Sequence, residues 1–179
     1  SNIFPEYLKG RPWDTSACLW TRKASKLIGS WVQSFAWEDV AYDVRAGILD
    51  ISIVHQPEIL CYFRRDKKLI HITKISYSER MLNKTNAWFF VFDQIYFSRY
   101  KSNTQIISWL KQNLSEQIVH ALKFHDNKLA RIYIKKVLKL QKKLIFRFFY
   151  LSLLIGSFFI DKNRLISALR KINKKNKNS

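Results

Sequence analysis

The sequence predicts an α+β domain followed by a basic helical extension. Three observations lead there. Between Ile48 and Phe97, short runs of apolar and β-branched residues are separated by breaks, as strands are. After Ser102 the apolar residues recur at three and four, the period of an amphipathic helix. The positive charge, finally, gathers in the last third of the chain.

The chain opens irregularly. In Arg11-Pro12-Trp13-Asp14-Thr15 the proline biases its predecessor away from helix. Trp20, Ala24, Leu27, Ile28 and Trp31 are spaced for a helix over about 21–35. The stretch Trp37 to Arg45 reads as a second short helix, with Gly47 as its stop.

Strand signals follow. Ile51 and Ile53 alternate with Asp50 and Ser52 within Ile48–Val54. Gln56-Pro57 breaks the run, Ile59–Phe63 forms a second, and Leu69–Ile75 a third. Arg64, Arg65, Asp66, Lys67 and Lys68 make a basic turn between the last two. A short helix fits Ser76–Asn83. Trp88–Phe97 gives the strongest strand signal, an aromatic and β-branched run interrupted only by Asp93 and Gln94.

The helical part begins with Ser102 and Gln105, spaced as a capping box. Ile107, Leu110, Leu114, Ile118 and Leu122 then share a face. His125-Asp126-Asn127 breaks the pattern, which resumes at Leu129, Ile132, Tyr133, Val137, Leu140 and Leu144. Opposite them stand Lys128, Arg131, Lys135, Lys139 and Lys142, a stripe of cations. Phe148–Ile160 is apolar for 13 residues, short of the roughly 20 that a membrane span needs. It is expected to be a buried helix. A Lys/Asn-rich tail with Lys174, Lys175 and Lys177 ends the sequence. The expected organisation is an aromatic segment and helix over 1–46, an α+β domain over 47–125, and a basic helical extension over 126–179.

In 179 residues the formal net charge is +19. Residues 120–179 hold 16 basic against 2 acidic residues, a net of +14, and residues 1–119 only +5. Such a polycation seeks phosphates, those of nucleic acid or of anionic lipid. With 47% apolar and 15% aromatic residues, disorder throughout is excluded. Two cysteines, Cys18 and Cys61, make no disulfide framework. Gly10, Gly29, Gly47 and Gly156 lie too far apart for a glycine-rich phosphate loop. The bias toward Ile, Phe, Lys and Asn resembles that of proteins from AT-rich organellar genomes.

Catalytic chemistry finds no support. His120 and His125 are five apart, a poor spacing for a metal pair on a helix, and His55 and His71 stand alone. Asp39 and Asp43 are four apart and read better as a helix cap or ion-pair partners than as an acid–base pair. No catalytic residue, metal or cofactor is expected.

The order of segments resembles the N-terminal, KH-domain part of small-subunit ribosomal protein three. The resemblance is carried by Arg11-Pro12-Trp13-Asp14-Thr15 with Trp20, then by Arg45-Ala46-Gly47-Ile48 running into Asp50-Ile51-Ser52-Ile53. Ile95 to Lys101, the helix Ile106–Ile118, and the basic helix Leu129–Leu140 continue it. It spans roughly residues 8–143. It implies a type II KH fold with a three-stranded sheet, docked on ribosomal RNA in the small subunit's head, near where messenger enters. The family's Gly-x-x-Gly loop has no counterpart, since Arg64–Asn83 contains no glycine. Arg64, Arg65, Lys67 and Lys68 are therefore expected to touch RNA backbone without clamping a base. The family's glycine-rich C-terminal domain is also missing after Lys143, which implies a divergent organellar form or a separate chain supplying that half.

The expected function is structural: a component of the mitochondrial ribosome's small subunit, in the matrix, bound to ribosomal RNA and to neighbouring small-subunit proteins. The expected RNA-binding residues are Arg64, Arg65, Lys67, Lys68, Lys128, Arg131, Lys135, Lys139, Lys142, Lys174, Lys175 and Lys177. The competing expectation is an accessory subunit of a mitochondrial inner-membrane complex, anchored by residues 144–160.

Overall fold

A computed structural model describes residues 4–10, 13, 17–34, 36–54, 76–124, 126–156 and 167. Six α-helices run along them: α1 (Arg22–Ile28), α2 (Glu38–Ile48), α3 (Tyr77–Tyr96), α4 (Thr104–Lys123), α5 (Asn127–Leu140) and α6 (Leu144–Gly156). Single 3-10 turns cover Glu6–Lys9 and Arg99–Ser102. Among the described residues there is no strand and no sheet. The expected α+β class, and with it the KH fold, is thereby overturned. The runs Ile59–Phe63 and Leu69–Ile75 lie outside the described residues.

The physical reasons are local. The strongest expected strand, Trp88–Phe97, is the second half of α3. Its bulky residues do not alternate between two faces. Trp88, Val91, Phe92 and Ile95 are all buried, at the three-and-four spacing of one helix face, and Met81 and Thr85 extend that face toward the start. A complete capping box begins the helix. The Glu79 amide donates to Ser76 Oγ (3.3 Å) and the Ser76 amide to Glu79 Oε2 (3.2 Å), so two end groups that a helix leaves open are satisfied together. The short helix expected near Ser76–Asn83 therefore runs on for 20 residues.

The first expected strand, Ile48–Val54, fails for another reason. The chain there is closing a helix. Ile48 is the last residue of α2, and Asp50 turns left-handed at φ 55°. The Ile51 amide donates to the Ala46 carbonyl (3.0 Å) and the Asp50 amide to the Gly47 carbonyl (3.1 Å). That pair of bonds is a Schellman closure. It turns Ile51 back onto the cluster of Ile28, Tyr42 and Ala46, where Trp20 and Ala24 also pack.

The expected helix over 21–35 is shorter than its apolar spacing suggested. Thr21 Oγ1 caps its start, accepting from the Ala24 amide (3.1 Å), and Gly29, at φ 80°, ends it. Gly47 is not the expected stop but an interior position of α2. A Cβ there would lie 2.4 Å from the Phe4 ring, so the glycine makes room for an aromatic side chain.

The chain divides into two compact units, Ser1–Asn103 and Thr104–Ser179. In the first, α2 packs on both α1 and α3. In the second, α5 packs on α4 and α6. The second core is built from Ile106, Leu110, Leu114, Ile118 and Leu122 of α4 with Ala130, Tyr133, Ile134, Val137 and Leu140 of α5. From α6 come Tyr150 and Leu153. The buried Ser115 and Tyr150 hydroxyls share a hydrogen bond of 2.8 Å. Burial of Tyr150 pushes its phenol above the ordinary tyrosine range, and the Ser115 bond acts the other way.

Candidate nucleic-acid interface

The basic stripe takes shape on α5. Asp126 fixes where that helix starts: its Oδ1 accepts from the Leu129 amide (2.9 Å), a side-chain cap for an open backbone donor. From that start the register is set. Ala130, Tyr133, Ile134, Val137 and Leu140 turn inward. At 100° per residue, positions 128, 131, 135 and 139 fall on the opposite side. Lys128, Lys135 and Lys139 are exposed there and Arg131 is half-buried. Ile132 stands among them, also exposed. Lys128 and Lys139 are 11 helical steps apart, a row of about 16 Å. Lys142 does not continue the helix. It is exposed in the connector 141–143 that leads into α6.

The other expected contacts, Arg64, Arg65, Lys67 and Lys68 in the basic turn and Lys174, Lys175 and Lys177 in the tail, lie outside the described residues. Four of the twelve thus share one helix face and a fifth follows it.

Further cations of the same unit were not singled out by spacing, among them Lys111, Lys136 and Lys143. Lys136 is half-buried on α5, and Lys143 is exposed beside Lys142. Lys111, on α4, is half-buried. Burial lowers its ammonium below the usual lysine range, and the like charge of Lys143 lowers it further. Lys111 and Lys143 are 32 positions apart, so only the α4–α5–α6 fold brings them near one another. Between Asn127 and Gly156 stand eight basic residues and no Asp or Glu. The stretch itself therefore carries a formal charge of +8, which favours anionic partners.

Asp39 and Asp43, weighed as an acid–base pair, each accept a hydrogen bond. Asp39, in the first turn of α2, accepts from the Val40 amide (2.8 Å). Asp43 is buried and accepts from the Trp13 indole (3.1 Å). His120 is half-buried on α4, and His55, His71 and His125 lie outside the described residues. Among the described residues, no three His, Cys, Asp or Glu side chains gather where a metal ion could be held, and no helix is long and apolar enough to cross a membrane.

No family model matches the chain, and no curated protein or solved structure is significantly similar to it.

Proposed function

We propose that the chain is a non-catalytic RNA-binding protein that serves as a structural component of the mitochondrial ribosome's small subunit. One observation carries the binding part of this reading. The outward face of α5 presents Lys128, Arg131, Lys135 and Lys139 in a row, within a stretch that contains no acidic residue. A rigid row of cations suits the phosphate backbone, whose recognition needs charge at a tolerable spacing and no base-reading groups. The same helix buries its other face in its own unit, so the row is held without help from a partner.

Assignment to a ribosome rests on the +14 of residues 120–179 and on the organellar bias in composition. RNA is preferred to an anionic membrane because the basic face continues toward an equally basic tail in the sequence.

Fractionation of mitochondria from the source cell tests the assignment. The full chain should sediment with small ribosomal subunits at low salt and be released by alkaline carbonate. Retention in the carbonate-washed membrane pellet, while other ribosomal proteins are released, would favour the inner-membrane accessory subunit and overturn it.

A further inference from the structure

The face of α6 that points away from its own unit is apolar, and we infer that it is a docking seam for an acidic amphipathic helix of a neighbouring protein. Tyr150, Leu153 and Gly156 turn inward, and the Ser115–Tyr150 bond fixes the rotation of the helix. Leu144, Phe148, Leu151 and Ile155 are left exposed, Phe148 to 67%, with exposed Ile145 to one side of them. Their spacing is four, three and four. On a helix that places them within about 60° of arc, the narrow seam that one helix offers another. A helix lying in a bilayer surface wants a broader, unbroken apolar face, and here the flank that holds Ile145 also holds Ser152, its hydroxyl bonded to the Phe148 carbonyl (2.9 Å).

Charge decides what kind of helix fits. Exposed Arg147 borders the seam on one side, and exposed Lys142 and Lys143 precede it. With no acidic residue between Asn127 and Gly156, a second copy of this chain would bring like charges together along the contact. A partner helix with Asp or Glu beside its own apolar row meets both requirements. The inference is independent of the RNA reading, which concerns α5.

Photo-crosslinking in the source cell tests it. A benzophenone amino acid replaces Phe148 in the full chain, and in a second variant Ile155, both exposed positions where it adds no bulk to the core. The expected product joins either position to one other protein. The crosslinked segment should carry apolar residues at three-and-four spacing flanked by Asp or Glu. Arg147→Glu should lower the yield about tenfold while Arg147→Lys retains it, with the melting temperature unchanged in both. Crosslinks to lipid, to RNA, to a second copy, to the chain's own residues or to a segment without acidic side chains would overturn the inference. So would the absence of any crosslink, or a yield indifferent to the charge of residue 147.

Discussion

Gly47 shows how closely the first unit is fitted at single residues. Its missing Cβ is where the Phe4 ring lies, and the nearest approaches involve the ring's base as well as its edge. Gly47→Ala should therefore cost about 1–3 kcal/mol through overpacking, against the small gain that alanine ordinarily brings inside a helix. Urea unfolding will show this as a lower midpoint with an unchanged slope. Adding Phe4→Ala should make the pair less damaging than the sum of the two. Lys111 offers a test of opposite sign. Its ammonium is lowered by burial and then by Lys143. A group with a depressed folded pKa contributes stability above its unfolded value, near pH 10.5, and loses that contribution as pH falls through the folded value. At pH 7 the charged Lys111 therefore burdens the fold, and Lys111→Met should raise the melting temperature there. The same variant should show a smaller gain in stability as pH approaches 10. An equal gain in both proteins would mean that Lys111 is not strained by its surroundings.

Among the elements, α3 is the instructive one. Its sequence is dense in aromatic and β-branched side chains, and residue preference alone favours a strand. Two features visible in the sequence pointed the other way. Ser76 and Glu79 stand in capping-box spacing, and Trp88, Val91, Phe92 and Ile95 recur at three and four. Periodicity outweighs preference because it states which side chains share a face. Ser76→Ala should cost about 1 kcal/mol and speed amide exchange over the first turn of α3 with little effect on α4. Unaltered exchange would show that the cap does not hold the helix start. The helices α4 and α5 were legible because Leu110, Leu114, Ile118 and Leu122, then Tyr133, Val137 and Leu140, keep helical spacing around the break at Asp126. The predicted cap at Ser102 was one residue early, since Ser102 ends a 3-10 turn and α4 starts at Thr104, which leaves Asn103 in the capping position. The orientation of α6 was hidden. Almost every residue from Leu144 to Gly156 is apolar, so no polar side marks which way it faces. Only the packing against α4 and α5 separates Tyr150 and Leu153 from Phe148 and Ile155. The expected burial of Phe148–Ile160 holds for Tyr150, Leu153 and Gly156 and not for Phe148, Leu151 and Ile155, and residues 157–160 lie outside the described residues.

At the scale of the whole chain, charge was the most legible property and topology the least. The concentration of cations after residue 120 follows from counting, and the α5 row from spacing. The nearness of Lys111 to Lys143 follows from neither, because it depends on how three helices fold together. The central claim is that the α5 row and Lys142 bind phosphate. It predicts a thermodynamic slope. Each cation that displaces a counterion from single-stranded RNA adds about 0.7 to the salt dependence of log affinity, and up to about 0.9 on a duplex. The most direct measurement is equilibrium binding of the full chain to RNA across a salt series. The natural protein is compared with a variant carrying Lys128→Gln, Arg131→Gln, Lys135→Gln, Lys139→Gln and Lys142→Gln. A second variant with Arg22→Gln, Lys23→Gln and Lys26→Gln on α1 serves as control. The five substitutions should reduce the slope by about 3.5–4.5 while leaving the helical content intact, and the α1 set should change it little. An undiminished slope in the five-site variant, or an equal loss from the α1 set, would contradict the claim.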